Sequence, residues 1–323
     1  MKAKKLFIVL LAAMLLFGAV CGCSAKEEEK TKFTVGVIQY GSHPSLDNCY
    51  EGIKTALETS GEDVEIDLQN GNFDSATCDT IAKNMVSKEY DLIIAIATPA
   101  ATSAYAAAYN SNVPVVFCAV SDPVAAGLVD SEDAPGSNCT GTSDILDFEA
   151  QLTLIKALQP EAKTVGILYT TSEANSVSQL KQFTEAAKAF DMEVVSQGVQ
   201  NAADIPQAAA SICPKVDCLN NYTDNNVVNN LSIVLEQANA AGIPVYGSEE
   251  EQVVNGCAAS VSIDYVALGK TTAEMALEIL NGADAAAMPV KTITDATPVI
   301  NKAVCEEFGI TIPEDYLSGG NIL

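Results

Sequence analysis

Two segments set 130 residues apart carry one construction. "VGVIQYGSHPS", Val35 to Ser45, and "VGILYTTSEANS", Val165 to Ser176, each open as a short apolar run and end in a polar turn. A second pair of landmarks keeps the offset: Val113-Pro114-Val115 and Ile243-Pro244-Val245 are again 130 residues apart. Two unrelated halves would not hold a constant spacing, so one plan is used twice.

The plan is βαβ. "FTVGVIQY" (33–40), "DVEIDLQN" (63–70), "DLIIAIAT" (91–98) and "VPVVFCAV" (113–120) read as strands. The runs 45–61, 74–90 and 100–110 between them carry apolar residues at helical spacing. After residue 163 the pattern returns: strands over 163–170, 193–199, 216–222 and 242–248, with helices over 175–191, 204–213 and 224–241. Alternation of this kind means parallel sheets with helices on both faces, hence an α/β fold of two similar doubly wound lobes. Ligands of open parallel sheets sit beyond the carboxyl ends of the strands. Two such edges facing each other make a cleft.

Composition narrows the chemistry. The 323 residues carry 17 Lys, no Arg and one His against 42 acids, for a formal charge of −25. Nucleic-acid binding, which needs basic stripes, is excluded. Without a guanidinium fork, an anionic ligand group must be held by Lys, hydroxyls or backbone N–H groups. Lys2, Lys4 and Lys5 precede an apolar run from Leu6 to Val20, too short to span a membrane. Val20-Cys21-Gly22-Cys23 resembles a lipobox, with Cys23 the expected lipidation site and Cys21 the runner-up; an ordinary secretory signal is the alternative. Residues 1–22 are then a leader and 23–32 a charged tether. Processing at Cys23 removes those three Lys and no acid, taking the charge from −25 to −28. The ten Cys include no C-x-x-C pair of zinc or redox spacing, so buried thiols are expected; Cys213 and Cys218 alone are close enough for a disulfide to be weighed.

Enzymatic motifs are missing. There is no G-x-S-x-G, H-E-x-x-H or G-x-G-x-x-G, and His43 has no catalytic partner in its local sequence. "LGKTT" (268–272) imitates the end of a Walker A loop, but the leading glycine would fall at Asp264, and helix is the natural reading. No metal or cofactor is expected. What remains is a set of strand-end turns. Backbone N–H groups near Ala100, Asn175 and Ser176, with the Thr98, Ser172 and Ser176 hydroxyls, suit a ligand carboxylate. Asp122, Glu173, Asp224 and Glu249 are candidates for a ligand ammonium or for helix caps. Tyr40 and Tyr222 offer ring faces or pack between the lobes, and His43 is a contact or part of a turn.

The stretches "VGVIQYGSHPSLD", "DLIIAIATPAA", "VPVVFCAVSDPVAAGLV", "GTSD", "VGILYTTSEANSV", "YTDNNVV", "IPVYGSE" and "IDYVALGKTTAEMALEILNG" cover nearly all of residues 33 to 317. With them the chain resembles an ABC-transporter substrate-binding lipoprotein of the type I periplasmic-binding-protein fold, on the branch that includes tryptophan and other aromatic amino-acid binders. The resemblance implies a hinge of three crossovers, near Gly141 to Asp144, near Asp264 and near Thr292 to Thr294. The N-terminal lobe would comprise 33–143 and 265–292, and the C-terminal lobe 144–264 and 293–323. It also brings Pro99, Ser121 and Thr223 into the set of cleft candidates. The implied protein is a lipid-anchored monomer on the outer face of a bacterial membrane, passing an amino acid to an ABC permease and its ATPase. Tyr40 and Thr98 would serve the ring and the carboxylate, Ser172, Asn175 and Ser176 would complete the carboxylate site, and Asp224 or Glu249 would hold the ammonium. A receptor for a branched-chain amino acid, a purine or a nucleoside, a ligand sensor, and an enzyme on the same scaffold stand as alternatives.

Overall fold

The computed structural model describes residues 32–293 and 296–323. The expected leader, Cys23, the tether up to residue 31 and Thr294 of the third crossover lie outside the described residues. The first α/β unit runs β1 (Phe33–Gln39), α1 (Pro44–Thr59), β2 (Val64–Asn70), α2 (Ser75–Ser87), β3 (Leu92–Ile96), α3 (Thr98–Ala108), β4 (Val115–Cys118) and β5 (Cys139–Ser143). Its strands are parallel, in the order β5-β4-β3-β1-β2. Every residue of β3, β4 and β5 is buried, and β3 and β4 are the continuous apolar runs that a sheet covered on both faces requires. Each fully buried Val or Ile there contributes about 1.5–3 kcal/mol.

The second unit runs α4 (Phe148–Leu158), β6 (Thr164–Thr170), α5 (Ala174–Ala187), β7 (Glu193–Val199), α6 (Ile205–Ile212), β8 (Cys218–Asn220), α7 (Asn225–Asn229), α8 (Leu231–Ala241), β9 (Val245–Tyr246), α9 (Glu250–Val254) and β10 (Ala259–Ser262). Strands β7-β6-β8-β9 repeat the order and direction of β2-β1-β3-β4. Val35 lies opposite Ile66 and Leu92, and Val165 lies opposite Val194 and Cys218. The 130-residue offset is therefore a structural register, with the two valines at the same place in the two central strands.

The chain then returns through α10 (Tyr265–Leu280) and β11 (Lys291–Thr292), which pairs with β5. It finishes with β12 (Thr297–Ile300), α11 (Lys302–Glu307), α12 (Glu314–Gly319) and β13 (Asn321–Ile322). Strand β12 lies antiparallel to β10, and Gly247 and Ala258 bond β10 to β9 through their N–H groups at 2.9 and 2.7 Å. The chain thus passes between the two sheets after β5, between β10 and α10, and between β11 and β12.

Helix α10 contains the "LGKTT" run, and its glycine has a packing role. A Cβ at Gly269 would lie 2.1 Å from the Cys49 carbonyl oxygen, and one at Gly52 would lie 2.1 Å from that of Val266. The reciprocal glycines let α1 and α10 cross backbone to backbone. Several boundaries differ from the sequence reading. Helix α3 starts at Thr98 because Ala97, at φ 77°, turns the chain straight out of β3. Strand β8 keeps only three residues, and the helix expected over 224–241 breaks at Asn230 into α7 and α8. The eight described cysteines are buried free thiols, Cys213 and Cys218 included.

Candidate functional site

The carboxyl ends of the two sheets meet around a small, tightly closed space. His43, Leu46, Thr98, Ala119, Ser121, Asp144 and Tyr265 line it from one side and the first crossover, and Asn175, Thr223, Asn225, Val228 and Glu249 from the other. The two units bond directly across it. The Ser45 hydroxyl donates to Glu249 Oε2 at 2.7 Å, Ser121 and Thr223 Oγ atoms lie 3.4 Å apart, and Gln179 Nε2 donates to Ser121 at 3.3 Å. At the rims Asn48 donates to Glu251 and Ser178 donates to Asp122. The cleft is closed.

Helices α1, α3, α5 and α9 start at this space, and none has a side-chain cap on its first N–H groups. Their N-cap residues are His43, Ala97, Glu173 and Glu249. Asp74 and Asp147 cap helices that begin elsewhere, and Asp264 and Asp224 cap the two further helices, α10 and α7, whose first residues Tyr265 and Asn225 reach the cavity. Uncapped N-termini bring free donors and the positive end of the helix dipole to the cavity. In α3 the first intrahelical bond is Ala101 N–H to Ala97 O, so the Thr98 and Ala100 N–H groups precede it.

Several buried polar atoms here have no partner: His43 Nδ1, Thr98 Oγ1, Glu173 Oε1 and Asn175 Oδ1. A native interior seldom leaves such atoms unpaired, so they mark places where a ligand makes the bond. The charge pattern agrees. Asp144, Glu173 and Glu249 are all buried, and no basic side chain lines the space. Burial pushes the Glu249 carboxyl up to about 7 and that of Glu173 to about 8, and it raises Asp144 as well. Asp144 accepts from Ser121 at 2.8 Å and from the Tyr265 hydroxyl at 3.3 Å. Burial holds His43 down to about 4, so its ring is neutral at pH 7. Acids without a counter-ion suit a ligand cation, and uncapped helix starts suit a carboxylate. A zwitterion satisfies both.

The expected residues fall into three groups. His43, Thr98, Ser121, Asn175, Thr223 and Glu249 line the cavity, with Pro99 and Ala100 in the first turn of α3 beside Thr98. Tyr40 and Glu173 stand one layer out; Tyr40 is buried against Phe73, and the Asn225 and Asn175 side chains donate to Glu173 Oε2 at 2.7 and 3.4 Å. The remainder have structural partners or face away. The Tyr222 hydroxyl donates to Ser176 O at 2.9 Å from within the second core, so its ring is below the wall. Ser172 is exposed at the turn, and Asp122 is a rim contact. Asp224 caps α7 through Val227 N–H and accepts from Thr170 N–H, Thr170 Oγ1 and the Ser176 hydroxyl. Its four acceptor positions are filled, which leaves none for an ammonium. Asp224→Asn places an amide donor against those donors and costs about 2 kcal/mol of stability in a urea melt.

Asp144, Asn225 and Tyr265 are lining residues the sequence reading placed at a hinge or passed over. Asp144 and Tyr265 sit where the chain crosses between sheets, and only long-range pairing brings them to the cavity. Asn225 follows Asp224 directly, in a turn already marked as polar.

Residues 34–320 match the family of ABC transporter substrate binding proteins. The chain belongs to that family. Its members bind solutes for transport rather than catalyse reactions. The sequence is 38% identical over 316 residues, 93% of this chain and 91% of the relative, to a tyrosine-binding protein of Clostridioides difficile. Among solved structures, a Streptococcus pneumoniae ABC domain in complex with L-Trp matches at TM-score 0.88 and 36% identity, covering 91% of this chain and all of that one. A ligand-free, open substrate-binding protein with adhesive properties from Clostridium difficile matches at TM-score 0.69 and 37% identity, covering 90% of this chain and 99% of its own. ABC transporter solute binding proteins solved with myo-inositol and with allitol, at 16% and 14% identity, share the fold.

Proposed function

We propose that this substrate-binding protein captures an aromatic amino acid in the cleft and delivers it to an ABC permease and its ATPase. The observation that carries the reading is the pairing, in one enclosed space, of counter-ion-free acids with uncapped helix starts. The ligand carboxylate sits on the Thr98 and Ala100 N–H groups and the Thr98 hydroxyl. The ammonium sits between Glu249, at a strand end of the second sheet, and Asp144, at the first crossover. Glu249 accepts from Ser45 and Gln252 through Oε2, leaving Oε1 for the ligand. Two relatives above 35% identity, one named for tyrosine and one solved with L-Trp, support an aromatic side chain.

Closure about the three crossovers at Gly141–Asp144, Asp264 and Thr292–Thr294 completes the cavity. Two comparisons support it: at nearly equal identity this chain superposes far better on the Trp complex than on the open, ligand-free protein. Asp144 would then serve both hinge and site, since it follows β5 directly and lines the cavity. The N-lobe is 33–143 with 265–292, and the C-lobe is the rest from residue 144. The protein works as a monomer outside the cytoplasm, held by a lipid on Cys23 after removal of residues 1–22. No described helix is long and apolar enough to cross a membrane.

Calorimetric titration of ligand-free protein with the twenty amino acids, a nucleoside set and myo-inositol tests the assignment. Tyrosine or tryptophan binds at about micromolar Kd or tighter, near −8 kcal/mol. Tight binding of a nucleoside or polyol with no amino acid would refute it.

Capture is linked to protons. In the closed, ligand-free cleft Glu249 keeps its proton up to about pH 7, whereas in the unfolded chain that carboxyl ionises near 4.5. A carboxyl raised in this way makes the empty fold less stable as pH rises from about 4.5 towards 7, because there the folded state binds more protons than the unfolded. An incoming ammonium favours the ionised form. Binding therefore releases protons below about pH 7, and affinity falls with acidification by up to about tenfold per unit. Titrations at pH 6 in buffers of different ionisation enthalpy measure the release; enthalpies independent of buffer would contradict it.

A further inference from the structure

The acid pair that takes the ammonium leaves one buried carboxyl unused. Glu173 lies at the end of β6, and Glu249 at the end of β9, with β8 between them. Two strand spacings put the two strand ends about 10 Å apart. That is the scale of an aromatic amino acid from its amine to the far edge of its ring plus a hydrogen bond.

The surroundings of Glu173 differ from those of Glu249. His43 stacks on Phe73 at 6.4 Å and 12°, and Tyr40 meets Phe73 edge-on at 5.7 Å. Glu173 is close enough to Tyr40 to help burial push its phenol up to about 12. His43 lines the cavity here and Phe73, Tyr40 and Glu173 back that wall, so this is the end of the cleft where a ring packs. It is also where unpartnered polar atoms gather: Glu173 Oε1, Asn175 Oδ1 and His43 Nδ1. Glu173 is 3% exposed, and its recorded bonds, from Asn225 and Asn175, fall on Oε2. A cavity built for a bare phenyl ring would have no use for that oxygen.

We infer that Glu173 is a specificity-determining residue, whose Oε1 accepts the hydrogen-bond donor at the far edge of the ligand's ring. The ligand class is thereby narrowed, within the aromatic amino-acid reading on which this rests, to rings bearing an O–H or N–H: a phenol or an indole. Neutral His43 turns Nε2–H towards Asn225 Oδ1 at 3.5 Å, so its unpartnered Nδ1 is a further acceptor beside the donor's position. Phenylalanine buries its ring but leaves Glu173 unsatisfied, which a site built to hydrogen-bond penalises.

Calorimetry at about pH 8 with tyrosine, tryptophan, phenylalanine and 4-fluorophenylalanine tests this, first on the unmodified protein. Tyrosine and tryptophan bind about tenfold or more tighter than phenylalanine, and 4-fluorophenylalanine, similar in size to tyrosine but without a donor, groups with phenylalanine. In Glu173→Gln the tyrosine-to-phenylalanine ratio collapses to within about threefold, since the charge assistance is gone. Equal affinity for tyrosine and phenylalanine in the unmodified protein would overturn the inference. So would a Glu173→Gln variant that loses as much for phenylalanine as for tyrosine. If no aromatic amino acid binds at all, the functional reading itself falls.

Discussion

Glu249→Gln lowers affinity for tyrosine, tryptophan and phenylalanine alike, by about 30-fold or more. The amide keeps the shape of the carboxyl and can still meet Ser45 and Gln252, so the cleft closes as before. What it loses is the charge facing the ammonium, and losing one partner of a buried, hydrogen-bonded charge pair costs about 2–5 kcal/mol. The side chain of the ligand should not matter, which separates this effect from that of Glu173. A des-amino analogue, 3-(4-hydroxyphenyl)propionate, supplies the control. It binds weakly to the unmodified protein and loses no more than about threefold in the variant. A loss for the analogue as large as that for tyrosine would show that the substitution had damaged the cleft rather than removed an ammonium partner.

The largest effect on folding falls far from the ligand. Gly269→Leu destabilises the protein by about 3 kcal/mol or more, because a side chain there must displace the α1 backbone at Cys49. The opposite face of the crossing offers no relief, since Gly52 is equally tight against the Val266 carbonyl. Cavity residues Leu46 and Tyr265 are carried on these two helices, so the variant also weakens ligand binding. Gly319→Ala is the comparison: nothing lies within 4 Å of an added Cβ, and the change is neutral or stabilising by up to about 1 kcal/mol. Urea melts of the two variants measure the difference. Equal midpoints would mean that α1 and α10 do not depend on the close crossing.

Much of this was legible in the residues, and for reasons that can be named. Fully buried parallel strands read as continuous apolar runs, so β1, β3, β4 and β6 stand out, and the 130-residue register ties the two sheets to one plan. Strand ends in such sheets face the ligand, which led directly to His43, Thr98, Asn175 and Glu249. The roles of the acids were harder. Glu173 and Asp224 both begin helices, and the linear sequence treats them alike. The shorter Asp224 reaches the N–H groups of its own helix and of Thr170 and is consumed by them. Glu173 occupies the same kind of position without making a capping bond, and its spare oxygen is free for other work. The preference of helix N-caps for Asp over Glu was the signal that separates the two. Asp144 and Tyr265 had no comparable local mark, because their place in the cavity depends on how the crossovers bring the sheets together.

The lone Walker-like run shows the same point from the other side. A glycine followed by Lys-Thr-Thr fits a phosphate loop by composition, but Gly269 lies inside α10 and packs on α1. Its small size serves a helix crossing.

A crystal structure of the protein with bound tyrosine tests the central claim most directly. The account predicts the ligand in the cavity between the sheets, with its carboxylate on the Thr98 and Ala100 N–H groups and its ammonium between Glu249 and Asp144. The phenol then points to Glu173 and His43. A tyrosine bound with its amine at Glu173 and its ring against Glu249 would contradict the assignment of the acids, and one bound outside this cavity would contradict the account as a whole.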